Sequence, residues 1–210
     1  MYQINLSEKT FDELLFLFNC NLKENHDFNF MVSAHLICKD IDYMIRLLPE
    51  LSMEQLRGVM GGFGAVFFKQ MKIFKNKKIS KKRVIEIVIQ YVDHENEFVA
   101  AAAIGALSSL KFKKWSKLEP HINHPSPYVR AAVLRFYRNL CGVNSKKLII
   151  KSLSDTHPEV REVAIDELLE IATSDDIPLM VAFLNDSDMY VNHAAQLMLE
   201  FVATWPLDDY

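Results

Sequence analysis

Four valines, Val99, Val129, Val160 and Val191, follow one another at intervals of 30, 31 and 31 residues, and each opens the same ladder of apolar residues four, eight and eleven positions further on. Those positions hold Ala103, Leu107 and Leu110; Val133, Tyr137 and Leu140; Ala164, Leu168 and Ile171; and Ala195, Leu199 and Val202. The steps are helical, so each valine starts a helix with one buried face. Apolar residues also stand seven places before each valine (Val92, Ile122, Leu153, Leu184) and eleven places before it (Val88, Leu118, Ile149, Met180). Each unit is therefore a pair of helices. A pair this short buries its apolar stripe only by stacking on the next, which predicts an all-α chain, an α-solenoid of stacked helical hairpins.

The turn ahead of each repeated helix is written in start signals. Asn96, Ser126, His157 and Asp188 stand three residues before the valines, in the place of an N-cap, and Pro127 and Pro158 take first helical positions. Proline loses no hydrogen bond there. The segments Asn123–Arg130 and Asp155–Arg161 thus read as turn, cap and helix start. Their pattern of turn aspartate, proline, Val-Arg and a following alanine resembles the HEAT-like repeats, in particular the short class found in phycobilisome lyases, over residues 83–203. The resemblance implies an α-solenoid and leaves function open, because its members include scaffolds, adaptors, lyases and a few enzymes. Ala100 and Asn192 replace the arginine that follows the valine in two repeats, so a ladder of arginines to turn aspartates is incomplete.

Upstream, Leu56 with Met60, Gly64 and Phe67 repeats the same offsets, which predicts a degenerate repeat partnered by a helix over Ile41–Leu48. A further helix is expected over residues 7–20. Residues 1–54 read as an irregular N-terminal cap, 55–82 as a degenerate repeat and basic linker, 83–204 as four repeats and 205–210 as a tail, all in a single solenoid domain of 210 residues. The longest uncharged apolar stretch, Gly58–Phe68, is too short to cross a bilayer, and the first residues lack the pattern of a secretory signal. Three widely spaced cysteines, Cys20, Cys38 and Cys141, fit a reducing compartment, so a cytoplasmic protein is expected.

Charge is unevenly spread. Between Gln55 and Ile85 there are nine lysines and arginines and no acid, whereas from Glu162 to Tyr210 there are eleven acids and no lysine or arginine. The formal net charge of -3 hides this division, which steers partners without deciding the fold. Lysines gather in the turns between hairpins and acids in the turns inside them, an arrangement that also suits helix macrodipoles if the cations end helices and the acids begin them.

Offsets two, six and nine of the second helices are expected to face a concave surface. This makes Arg135, Arg138, Glu162, Asp166, Leu169, His193, Leu197 and Glu200 the candidate partner-binding residues, with Ala101, Gly105, Ser108 and Ala131 lining the flatter end. Arg135 and Asp166 share an offset in adjacent repeats and either pair with each other or serve a ligand. The four glycines of Gly58–Gly64 predict close helix packing or a backbone exposed to a ligand. His94, His124 and His157 fall in successive turns, but their spacing is no metal signature. No catalytic residue, metal or cofactor is assigned.

Two functions stay open on these residues. A non-enzymatic scaffold, adaptor or immunity-type inhibitor would hold a protein with a basic surface in the groove. Alternatively Lys77, Lys78, Lys81, Lys82, Lys113, Lys114 and Trp115 would bind nucleic acid, as the resemblance to HEAT-like alkylpurine DNA glycosylases implies. The same resemblance implies a third role, as a lyase or chaperone of a tetrapyrrole protein.

Overall fold

The computed structural model describes residues 5–20, 26–67 and 79–204. The regular structure among them is α-helix and 3-10 helix, and within each of two units successive hairpins pack in sequence order. Contacts divide the chain into these compact units, Met1–Lys114 and Trp115–Tyr210.

The first unit holds α1 (Phe11–Asn19), α2 (His26–Lys39), α3 (Ile41–Leu47), α4 (Met53–Ala65), α5 (Lys81–Val88) and α6 (Glu97–Ser109). Thr10 and Ser52 each open their helix with a reciprocal capping box, closed by Glu13 and Gln55. The degenerate repeat is present: Leu56, Met60 and Gly64 are buried on α4, which stacks against α6. Its partner is not α3, as the sequence predicts, but α2. The expectation fails because burial on α2 runs unbroken from Val32 to Ile37 and takes in the polar Ser33 and His35. A helix covered on most sides shows no 3.6-residue stripe to read.

The second unit holds α7 (Pro127–Cys141), α8 (Lys146–Ser152), α9 (Pro158–Leu169), α10 (Ile177–Val181) and α11 (Met189–Thr204). The second helices α6, α7, α9 and α11 begin at Glu97, Pro127, Pro158 and Met189, the positions the turn signals predict. Their four valines are fully buried, and so are Val88, Leu118, Ile149 and Met180 of the first helices. Those first helices are short. The one before α7 is 3-10 throughout, over Trp115–Asn123, because Pro120 within it has no N–H to donate and its ring obstructs an α-helical turn. At the end of α7, Gly142 adopts φ +52°, a left-handed conformation that an L side chain seldom takes.

Close packing accounts for two of the α4 glycines. A Cβ on Gly62 would lie 2.9 Å from the Ala34 nitrogen of α2, and one on Gly64 would lie 2.9 Å from the Ala106 Cα of α6. Gly105 on α6, by contrast, faces open space. Helix propensity alone favours alanine at every one of these sites by about 1 kcal/mol. We therefore expect Gly62→Ala and Gly64→Ala to destabilise the chain by about 1–3 kcal/mol through overpacking, and Gly105→Ala to stabilise it by up to about 1 kcal/mol. Thermal or urea melts check this, and a stabilised Gly62→Ala would show that α2 and α4 are not in close contact.

Candidate protein-binding face

Each second helix is entered through a turn in which the residue five places before the valine accepts a hydrogen bond from the N–H two residues further on. His94 Nδ1 accepts from Asn96 at 3.0 Å and His124 Nδ1 from Ser126 at 3.1 Å. Asp155 Oδ1 accepts from His157, and Asp186 Oδ1 from Asp188, each at 2.9 Å. The two aspartates also receive the arginine that follows the valine of the preceding repeat. Arg130 makes a bidentate pair with Asp155 at 2.8 and 2.7 Å, and Arg161 one with Asp186 at 2.9 and 2.7 Å. Arg130 also donates to the His124 and Pro125 carbonyls, and Arg161 to those of Asp155 and Thr156. These two pairs form rungs of the ladder in the second unit, and Asn192 donates instead to the Leu184 carbonyl.

This geometry corrects several sequence readings. His157 does not cap α9 with its side chain; its backbone N–H is held by Asp155. The turn acids of the second unit are largely engaged inside the fold. Asp186 holds Arg161, Asp188 accepts from the Tyr190 and Val191 N–H groups, and buried Asp176 receives Lys146 at 2.7 Å and the Thr173 N–H at 2.8 Å. The macrodipole account fails for the cations too, since Lys81, Lys82 and Arg83 occupy the first turn of α5 and Lys146 begins α8. Arg83 pairs with Asp42 and Lys146 with Asp176, so specific partners offset an unfavourable helix end.

On the outer face Arg135, for which the sequence leaves open both pairing with Asp166 and service to a ligand, lies with Arg138 against Glu167. Arg138 Nε lies 2.5 Å from Glu167 Oε2, and Arg135 Nε 3.7 Å from Oε1. Glu167 is buried, at an offset of seven from Val160, where the other repeats place the buried Ala106, Phe136 and Met198. A carboxylate at a core offset was the signal that identifies it. Arg138 is consequently a packing residue more than a ligand contact, Ala131 is buried, and Leu169 packs half-buried against the core.

Glu162, Asp166, His193, Leu197 and Glu200 do face outward. Burial holds the Glu162 carboxyl above its ordinary range, helped by repulsion from Asp166 and Asp188 and opposed by Arg135. Asp166 is raised in the same way, by burial first, with Arg135 opposing and Glu167 adding repulsion. The offset rule did not reach Met189, Tyr190 and Phe201 of α11, which are 73%, 62% and 47% exposed. Among the described residues no three histidine, cysteine or acidic side chains stand together as a metal site.

Of the nucleic-acid candidates, Lys77 and Lys78 lie outside the described residues. Lys81 and Lys82 are exposed on α5 and Lys113 and Lys114 after α6, all in the first unit. Trp115, in the second unit, is half-exposed and packs edge-on to Tyr137, whose hydroxyl donates to the Trp115 carbonyl at 3.3 Å. Burial, with Glu119 and Cys141, pushes the Tyr137 hydroxyl up to about 12.

Residues 115–200 match the family of HEAT repeats. Those repeats are HEAT-like. A crystal structure of an engineered protein, a Northeast Structural Genomics Consortium target, is similar over 91% of this chain and 96% of its own, with a TM-score of 0.50 and 14% identity, a likeness of fold alone. No curated protein matches the sequence. No helix among the described residues is long and apolar enough to cross a membrane.

Two predictions follow from the charges. Removing Glu167 strands Arg138, so Glu167→Ala should cost about 1–3 kcal/mol, whereas exposed Arg135→Ala should cost at most about 1 kcal/mol; equal melts would dissolve the triad. The second concerns acid. Hydrogen bonds from Arg161 lower Asp186 below its ordinary value, and Asp155 is lowered by Arg130 in spite of burial. Their stabilisation is present above about pH 4 and is lost as the pH falls through their lowered folded values. Glu162 and Asp166 have the opposite sign: their charged forms oppose folding at neutral pH, and protonation relieves this as the pH falls through their raised values. Glu162→Gln should therefore raise Tm at pH 7 and have little effect at pH 3, while Asp186→Asn should lower Tm at pH 7 and lose its effect in acid. Melts across that range decide it.

Proposed function

We propose that the chain is a non-enzymatic protein-binding scaffold, an adaptor or inhibitor of the immunity type, that receives a basic protein surface on the outer face of α9 and α11. One juxtaposition carries this reading: carboxylates held above their ordinary range on α9 lie beside exposed large apolar residues on α11, in a stretch that from Glu162 onward has no lysine or arginine. Such carboxylates destabilise the folded chain when it is alone, and a cation arriving from outside relieves both their repulsion and their desolvation. HEAT-like repeats supply extended surfaces of this kind. Cys20, Cys38 and Cys141, which form no disulfide with one another, fit a cytoplasmic setting.

The glycosylase alternative needs a carboxylate in a basic groove, and Asp166 instead neighbours Glu162 and the buried Glu167. The lyase alternative rests on the sequence resemblance alone. Capture from the native cells with the full chain tests the reading against both. The partner should be a protein, lost at least tenfold on Leu197→Asp and on Glu162→Lys with Asp166→Lys, provided the variants melt near the parent. A partner retained by both variants would remove the interface from this face. Nuclease-sensitive capture lost on Lys81→Glu, Lys82→Glu and Trp115→Ala would make the ligand nucleic acid.

A further inference from the structure

The face proposed above has a shape that selects its occupant. Met189, His193, Leu197 and Phe201 recur every four residues on α11 and are all exposed, which makes one ridge inclined to the helix axis. Twelve residues at about 1.5 Å each give it a length of roughly 18 Å. On the neighbouring α9, Glu162 and Asp166, with Glu170 at its C-cap, also recur every four residues, at the same offsets from Val160 as His193, Leu197 and Phe201 have from Val191. An acidic ridge and a largely apolar ridge therefore run side by side in register. Asp188, at the entrance to α11, adds its charge to the acidic side, because it is close enough to repel Glu162.

We infer that the occupant is a basic amphipathic helix of a partner protein, seated along these two ridges. Resting on the protein-binding reading, this inference adds the partner's secondary structure and the pattern of its residues. The backbone decides between helix and extended chain. Between their first and last turns, α9 and α11 spend their N–H and C=O groups on their own helical hydrogen bonds, so the face offers no strand edge. An extended peptide laid here would bury its own N–H and C=O groups without partners. A helix arrives with those groups satisfied and offers residues every four positions to ridges of the same period. The residues that meet Leu197 and Phe201 are large and apolar; those that meet Glu162, Asp166 and Glu170 are lysine or arginine. The charges favour encounter and orientation, and the apolar ridge governs residence.

The test uses the full chain and three end-blocked 18-residue peptides of leucine and lysine or glutamate. One places leucine at helical spacing with lysine elsewhere, one has the same composition in strict alternation, and one replaces lysine by glutamate in the helical pattern. Fluorescence polarisation should show the helical lysine peptide binding at least tenfold more tightly than either other, with a gain of helical circular dichroism on binding. Leu197→Asp should weaken it at least tenfold, and Glu162→Gln with Asp166→Asn should flatten its salt dependence, while Val143→Asp, at an exposed apolar residue elsewhere, leaves it unchanged. Equal binding of the alternating peptide, still lost on Leu197→Asp, would overturn the helical occupant and leave the protein-binding face intact. Binding of all three peptides that ignores Leu197→Asp would overturn both.

Discussion

Every second helix in this chain has to begin in a turn whose backbone N–H groups need acceptors, and the residue five places before the buried valine meets that need. When this residue is aspartate, one carboxylate does two things. It fixes its own turn through the N–H of His157 or Asp188, and it ties that turn to the preceding repeat through Arg130 or Arg161. Local geometry and repeat stacking then depend on the same pair of oxygens. Where the residue is histidine, as at His94 and His124, the ring nitrogen performs the local half of this task. Arg130 and Arg161 precede the aspartates and Ala100 precedes His124, whereas His94 follows Arg57 of the degenerate repeat, so an arginine in the preceding repeat does not by itself fix the residue type.

The two units consequently solve repeat stacking by different means. In the second, charge-assisted bidentate bonds set the register, and such bonds are directional as well as strong. In the first, the stacking of α4 rests on the absence of side chains at Gly62 and Gly64, which lets helix backbones approach closely. Both interfaces are sensitive to single substitutions but to opposite chemistry. One fails on loss of a charge, the other on gain of a methyl group.

The same contrast explains what could be read from the amino-acid sequence. The valine ladder and the turn signals located the starts of α6, α7, α9 and α11, because a helix with one buried face must repeat its apolar residues at helical spacing. The stripe faded in α2, where burial extends around most of the helix, and in the Trp115–Asn123 turn, where Pro120 forces a tighter winding. Outward positions such as Asp166 and Leu197 were legible as the complement of the ladder. Which charges were already engaged was not, since partners for Asp176, Asp186 and Glu167 come from residues about 25 to 30 places away. Only Glu167 announced itself, by putting a carboxylate where the other repeats bury an apolar side chain.

Internal pairing also determines which charge is left for a partner. In the second unit Arg130, Arg138, Lys146 and Arg161 are matched with Asp155, Glu167, Asp176 and Asp186, each cation with one acid from the next repeat. That exchange is neutral within the stack, so the acidic surplus of the unit falls on residues outside it. Glu162 and Asp166 carry part of this surplus on a face where burial and mutual repulsion work against their ionisation. A sequence selected for stability alone would place neutral residues there, because the attraction of Arg135 does not offset the desolvation and repulsion of those charges. Keeping them beside the exposed ridge of α11 makes sense as a cost borne by the free chain and recovered on binding. On the proposed binding reading, stability sacrificed locally at this surface, against the grain of an otherwise balanced stack, is what a site acting on an outside partner would require.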